Sequence, residues 1–405
     1  PPGGGIWYPR FGLAGADHSV ASSEARTKAN TKVSSVQNNI YSPSTPRAVV
    51  YCEANFGRID GKTANGLVRH SQRFKIQSII DSKLAGFDAG QVLDGVATGI
   101  PILADLAEAL APANGPVDTL IFGMAPASGR LQAPERHVLL EAIAAGLHLI
   151  NGLHEFLNDD LEFAAAAAAK NVRIVDVRRP PAQGDLHLFS GRISSVGCKR
   201  IAVLGTDGAI GKRTTAVILT RALNERGIKT VMVGTGQTGL MQGARYGIAL
   251  DSLPCQYGSG EVEAAVVHAF EAENPEVIVI EGQGALSHPA YLSSTAILRG
   301  SQPQAVVLQH APMRQRLSDF PKIPMPTAAS EIKLIETFAP ATRVIGMALN
   351  HEGMSEAEMT AAIALYEIEL GIPATDALSR SPQRLVDMVV RAFPELKPMA
   401  NAIAL

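Results

Sequence analysis

Cysteine is scarce in this chain and never paired. Cys52, Cys198 and Cys255 are the only three, far apart and outside any CxxC spacing. That excludes a disulfide framework or a zinc site built on cysteine pairs, and it leads us to expect a reducing, cytoplasmic setting. Long hydrophobic runs are missing too. The alanine run at 164–169 is flanked by Glu162 and Lys170 and falls far short of the roughly 20 residues of a membrane span. Charge of one sign is also absent. Lys plus Arg number 36 against 38 Asp plus Glu, a net charge of −2. Neither a nucleic acid nor an anionic membrane surface is therefore an expected partner; small-molecule substrates are. No GxGxxG occurs in the first half of the chain, over 47–195, which argues against a nicotinamide dinucleotide there.

What is present is a long, moderately apolar chain. Its 405 residues, 46% hydrophobic and 18% charged, exceed one compact core, so two domains are expected. Residues 1–46 are rich in Ser, Thr, Asn, Gly and Pro without periodicity. They read as a flexible extension, in which Trp7, Tyr8 and Phe11 could pack on the body. From Arg47 a β/α rhythm begins, with strands expected at 48–52, 76–80, 119–122, 147–150 and 172–177. Helices are expected between them at 62–73, 101–111, 134–145 and 161–170. Alternation of this kind implies a parallel sheet covered on both faces, here a Rossmann-like domain over 47–195. A second rhythm follows over 196–405, with strands at 201–204, 230–233, 277–280, 305–308 and 344–349. This half reads as a P-loop NTPase-like, three-layer α/β/α domain.

The second rhythm opens on Arg-Ile-Ala-Val-Leu-Gly-Thr-Asp-Gly-Ala-Ile-Gly-Lys-Arg-Thr-Thr at 200–215. An apolar strand enters a glycine-rich loop that ends in Gly-Lys and starts a helix. Backbone N–H groups and a helix N-terminus offset phosphate charge where no Cβ blocks the approach. Gly205, Gly208 and Gly211 supply the room, with Thr206 between them, and Lys212 adds a point charge. Thr214 and Thr215 offer hydroxyls. Two features are irregular: five residues separate Gly205 from Gly211, and Arg213 occupies the place of the usual magnesium-binding hydroxyl. Asp207 would repel a phosphate unless it meets a metal, a lysine or a substrate ammonium. Alternatively it caps the turn.

Ligands bind beyond the carboxyl ends of the strands in open α/β sheets. That places Thr235, Gln237, Thr238, Glu281, Gln283, Ser287, His288 and Tyr291 beside the loop. His288, in a loop after a strand, is the leading candidate base, with Glu281 second and Ser287 as a relay. His310 and His351 are runners-up. Gln237 and Gln283 are candidate donors to a developing oxyanion. Arg58 and Arg130, with Arg213, are candidate clamps for substrate carboxylates. In the first domain, Gly57-Arg-Ile-Asp-Gly61-Lys62-Thr63 imitates a phosphate loop one residue short. Asp81 ends the second strand, where a dinucleotide fold places its ribose-binding acid.

These residues carry a resemblance. The loop from Gly205 to Lys212, with the later Glu281-Gly-x-Gly, resembles that of dethiobiotin synthetase. Residues 47–395 as a whole resemble a family once described only as a domain of unknown function and now linked to D-glutamate N-acetyltransferase. The carrying segments are Ala-Val-Val-Tyr-Cys-Glu-Ala-Asn-Phe-Gly at 48–57 with Lys62-Thr-Ala-Asn-Gly-Leu, Ile80-Asp81-Ser82, and Gly152-Leu-His-Glu-Phe-Leu157. To these are added the phosphate loop and Glu281-Gly-Gln-Gly-Ala-Leu-Ser-His-Pro-Ala-Tyr291. The resemblance implies acetyl transfer from acetyl-CoA to the amino group of D-glutamate, in D-amino-acid catabolism. The loop would be the coenzyme site and 281–291 the reacting edge. An ATP- and magnesium-dependent ligase or kinase like dethiobiotin synthetase, with Thr214 and Glu281 on the metal, stays open. So does a nucleotide-binding module without turnover. Homo-oligomerisation is a base-rate expectation for a chain of this size.

Overall fold

A computed structural model describes residues 45–126 and 128–396. The extension read at 1–46, with Trp7, Tyr8 and Phe11, lies outside the described residues except for its last two positions.

The first sheet has six strands: β1 (Arg47–Tyr51), β2 (Lys75–Ile80), β3 (Ile102–Leu103), β4 (Thr119–Phe122), β5 (His148–Asn151) and β6 (Ile174–Asp176). They run in the order β3-β2-β1-β4-β5-β6, and every pairing is parallel. That is the strand order of a Rossmann-type sheet, in which the chain reverses direction of growth between β1 and β4. The connecting helices are α1 (Lys62–Arg69), α2 (Ala89–Asp94), α3 (Leu106–Ala109), α4 (Ala133–Ala144) and α5 (Leu161–Lys170).

One expectation is corrected here. Residues 101–111 do not form one helix. Pro101 and the apolar pair after it extend into β3, and α3 starts only after Asp105, whose carboxylate accepts from Glu108 N. A two-residue strand leaves too short an apolar run to be told from the start of a helix. The helix expected over 62–73 stops at Arg69, because His70 turns extended.

The second sheet holds β7 (Lys199–Gly205), β8 (Thr230–Gly234), β9 (Tyr246–Gly247), β10 (Val277–Glu281), β11 (Ala305–His310), β12 (Arg343–Leu349) and β13 (Ala374–Asp376). Its order is β13-β12-β11-β7-β10-β8-β9, again wholly parallel. Its helices are α6 (Lys212–Glu225), α7 (Gln237–Gln242), α8 (Gly258–Glu273), α9 (Ser293–Ser301), α10 (Ala328–Phe338), α11 (Glu356–Leu370) and α12 (Gln383–Ala392).

The central strands are apolar through their middles because both faces are covered, and polar residues stand only at their ends, at Lys199, Arg200, Glu281, Gln309 and His310. Ala202, Leu204, Ile278, Ile280, Val306 and Leu308 face one core with α8 to α10. Ile201, Val203, Val277, Val279, Ala305 and Val307 face the other with α6 and α12. The result is three layers, with the ends of β7, β8, β10 and β11 left open for chemistry. No helix among the described residues is long and apolar enough to cross a membrane.

Candidate active site

The loop from Thr206 to Gly211 joins β7 to α6. Gly211 caps α6 at φ 108°, a left-handed conformation that favours glycine, and no side chain caps the helix. The first-turn N–H groups of this 14-residue helix are therefore left for an anion. A Cβ on Gly205 would press on Gln309 O at 2.8 Å and the Ile210 side chain at 2.9 Å. Ala209 holds a positive φ of 48°, so the loop itself carries strain.

Lys212 is buried and its Nζ donates to the Asp207 carbonyl. Burial pushes its pKa down to about 8, against the pull of Asp207 and Glu281. A buried lysine without a carboxylate bonded to it is poised for an incoming anion. Asp207, fully buried, does not point at a ligand. Its carboxylate accepts from Gly208 N at 2.7 Å, Ser318 N at 2.9 Å and Arg314 Nη1 at 3.3 Å. It is a turn cap neutralised by an arginine, the alternative left open by the sequence.

The threonines divide. Thr206 Oγ1 lies 2.9 Å from His310 Nδ1, and Thr215 Oγ1 donates to Gln309 Oε1 at 2.6 Å. Both are engaged by β11, while Thr214 stays half-exposed at the first turn. Burial lowers His310 to about 4, so its ring is neutral. Arg213 turns away from the cradle. Its Nη2 donates to Lys62 O at 3.3 Å, and a Cβ on Gly66 would overlap that guanidinium. Burial lowers its pKa, with Glu281 opposing.

Across the sheet edge, the Glu281 side chain is buried at the end of β10. It accepts from Thr235 N at 3.0 Å and Gly236 N at 3.3 Å. Burial raises its pKa, partly countered by Arg213. Gly239, on α7, makes room for it: a Cβ there would overlap the carboxylate. Gln283 lies against Gly236 in the same way.

His288 stacks on Tyr291 with ring centroids 4.3 Å apart and lies 5.7 Å from Phe320. Its side chain is 0% exposed, and burial lowers its pKa. Nδ1 accepts from Ala290 N at 3.2 Å, so the neutral ring carries its proton on Nε2. That Nε2 has no hydrogen-bond partner and faces Asp207 Oδ1 at 4.0 Å. Ser287 Oγ donates to Glu331 Oε2 at 2.6 Å, which directs it toward α10 and not toward His288. Tyr291 OH donates to Asp319 Oδ2, and burial with that bond raises its pKa. His351 pairs through Nδ1 with the buried Asp376.

Gln237 and Thr238 lie on the face that meets the first domain. A Cβ on Gly152 would overlap Met241 Cε at 2.6 Å and crowd the Gln237 side chain at 3.3 Å, and Thr238 Oγ1 is 2.8 Å from Thr63 Oγ1. Gln242 Nε2 donates to Gly66 O and His70 O at 2.6 and 2.8 Å. Arg58 and Arg130 are exposed on the loops after β1 and β4; neither guanidinium bonds to the phosphate loop or to 281–291. Asp81 is fully buried and accepts from Phe56 N and Lys83 N, both at 3.0 Å, so it anchors its own loops instead of facing a ribose.

Sequence reasoning missed three residues at this site. Arg314 clamps the loop through Gly208 O at 3.0 Å and Ala209 O at 3.1 Å. Gln309 holds Thr215, and Asp319 holds Tyr291. Their only signal was position in the last residues of β11 or just after it, on the ligand side of the sheet.

Comparison with known proteins accords with this architecture. Residues 82–180 match a family model described as the Rossmann-like domain of a domain of unknown function, DUF1611_N. Residues 187–386 match its companion, the DUF1611_C P-loop domain. A protein of Tritonibacter scottomollicae named D-glutamate N-acetyltransferase is 30% identical over 274 residues, which is 66% of this chain and 80% of that one. Its namesake from a Pseudoalteromonas species is 29% identical over 265 residues, 64% of this chain and 77% of that one. The crystal structure of a DUF1611 family protein from Anabaena variabilis superposes with a TM-score of 0.79 at 32% identity, covering 85% of this chain and 99% of that one. A Rossmann-like sheet feeding a P-loop domain, with these relatives along both, makes the chain a member of the DUF1611 family, in which proteins named D-glutamate N-acetyltransferase are found.

Proposed function

We propose that the chain moves the acetyl group of acetyl-CoA to the amino group of D-glutamate. The observation that carries this is the cradle: a glycine-lined helix N-terminus with a buried lysine, in which the residue after the lysine is an arginine turned out of the site. Such a cradle fits the phosphates of coenzyme A. It lacks the hydroxyl that a magnesium triphosphate needs at that position, and Glu281 is committed to two backbone amides. The names of the two relatives supply the acceptor and the reaction class.

In this reading the acceptor ammonium gives up a proton and its lone pair attacks the thioester carbonyl carbon. The carbon–sulfur bond then breaks, the nitrogen gives up a second proton that the departing thiolate takes up as thiol, and the first proton leaves through the base to solvent. His288 is the group for proton transfer, with Asp207 facing its Nε2. To act as a base it must release the Ala290 amide from Nδ1. Gln283 and Gln237 remain the side-chain donors for the oxyanion, and Tyr291 stacks beside the imidazole. Arg213 is turned inward, so the exposed Arg58 and Arg130 are the arginines free to meet the acceptor's carboxylates.

The test is an assay of free thiol release from acetyl-CoA with a panel of D- and L-amino acids, run beside ATP with magnesium. Thiol release with D-glutamate supports the transferase. Phosphate release alone would replace it with the ligase or kinase reading.

A further inference from the structure

The imidazole that the proposed chemistry uses is shut away. The His288 side chain is 0% exposed, and a group that solvent cannot reach cannot touch a substrate amine. Two aromatic rings lie on it. Tyr291 stacks with ring centroids 4.3 Å apart and planes 19° from parallel. Phe320 packs at 5.7 Å, tilted by 54°. Both residues keep part of their surface in water, so they form a roof between the imidazole and the solvent. Beneath it, His288 Nε2 has no hydrogen-bond partner.

The roof is assembled from two segments. Tyr291 follows β10, and its place depends on Gly284, where a Cβ would press on the tyrosine at 3.0 and 3.1 Å. Phe320 belongs to a hairpin after β11. An Arg316–Pro324 bridge closes that hairpin, with Leu317 N donating to Ile323 O and Met325 N to Gln315 O, both at 3.0 Å. Three successive hairpin residues reach three parts of the site. Ser318 N donates to Asp207 of the phosphate loop at 2.9 Å, Asp319 accepts from the Tyr291 hydroxyl, and Phe320 packs on His288. Among the described residues, the Tyr291–Asp319 bond is the only hydrogen bond between the hairpin and residues 281–292.

Asp319 also stands against the phosphate loop. Its Oδ2, the oxygen that Tyr291 holds, lies 3.9 Å from where a Gly208 Cβ would be. Asp207 has Arg314 to neutralise it, whereas no Lys or Arg is bonded to Asp319 among the described residues. An anion settling in the loop therefore repels an uncompensated carboxylate at short range and weakens the bond that this carboxylate makes.

We propose that Asp319 is a positioning residue for His288: through the Tyr291 hydroxyl it latches the aromatic roof over the imidazole, and an anion entering the phosphate loop releases that latch. Donor binding and exposure of the base are then one event. This inference rests on the reading of His288 as the group for proton transfer.

The test reads access to His288 without turnover. The full chain is treated with diethylpyrocarbonate, and the rate of carbethoxylation at His288 is followed by peptide mass analysis. Wild type is compared with Tyr291→Phe, Asp319→Ala and Asp319→Asn. Tyr291→Phe keeps the stacked ring and loses the hydroxyl alone. The expected result is a rate about tenfold or more above wild type in Tyr291→Phe and Asp319→Ala, as the open population grows. Asp319→Asn, which retains an oxygen to accept from the hydroxyl, is expected within about threefold of wild type. Equal rates in all four proteins would overturn the latch. Inorganic pyrophosphate, with its binding followed by calorimetry, is expected to speed modification of the wild type about threefold or more. Pyrophosphate that binds and leaves the rate unchanged or slower would overturn release by the anion. A roof that opens in the variants of a chain that forms no N-acetyl product would keep the latch and sink the acetyltransferase reading instead.

Discussion

At the scale of single residues, the site is organised by buried charge. Lys212 is the clearest case. Its pKa falls from 10.5 to about 8 in the folded chain because water is removed from around it. A lowered lysine pKa means that the unfolded chain binds the proton more tightly. The cost is therefore complete below pH 8 and is relieved as pH rises from about 8 toward 10.5. The shift corresponds to about 3 kcal/mol, from which the hydrogen bond to Asp207 O subtracts about 1 kcal/mol. Lys212→Met is thus expected to stabilise the ligand-free protein at pH 7 by about 2 kcal/mol in chemical denaturation. The same variant is expected to lose the stabilisation that coenzyme A or pyrophosphate gives the wild type. A destabilised Lys212→Met would show that the cradle is a structural turn.

Elements explain which parts of this were readable in advance. The strand–loop–helix unit around Gly205–Thr215 is local: an apolar strand, glycines, then an amphipathic helix within sixteen residues. The order of strand, glycines, Gly-Lys and helix agrees despite the irregular spacing and Arg213, so the strand–loop–helix unit could be read from sequence. Helix α7 could not, because Gly236 and Gly243 bound it, Gly239 lies within it, and glycine disfavours helix interiors. Burial forms it regardless, and Gly239 is there for the Glu281 carboxylate. Replacing Gly239 with Ala gains about 1 kcal/mol in helix propensity. The new Cβ, however, displaces a buried carboxylate from two amides, which costs about 2–4 kcal/mol. The net expectation is a loss of about 2 kcal/mol, measured by denaturant unfolding, with thiol release also falling. A stabilised Gly239→Ala would mean that the Glu281 anchor contributes nothing.

The long-range contacts of Arg314 and Lys62 were hidden for a different reason. Arg314 meets Asp207 across 107 residues of sequence, and Lys62 meets Arg213 across 151. No spacing rule reaches that far. The Rossmann-like sheet was legible from its alternation, whereas β3, at two residues, was too short to register.

On the scale of the whole molecule, the two domains meet through helices near the phosphate loop. α1 of the first faces α7 of the second, through Thr63 to Thr238 and through Gln242 to Gly66 and His70. Buried histidines set the acid limit of this assembly. His70 and His310 are both lowered from 6.5 to about 4 by burial, and His288 is lowered as well. The unfolded chain takes up protons below pH 6.5 that the folded chain refuses until near pH 4. Stability is expected to fall as pH drops through that window, with nearly two extra protons bound on unfolding around its middle, near pH ~5. Denaturation midpoints across pH 4 to 7 measure the slope. A flat profile would contradict the burial of these rings.

The central claim is that the P-loop here serves acyl transfer. The most direct measurement is mass analysis of the product after incubating the chain with carbon-labelled acetyl-CoA and D-glutamate. The account predicts N-acetyl-D-glutamate carrying the label, formed by the wild type and lost in Lys212→Met. Unmodified D-glutamate with intact acetyl-CoA would contradict it.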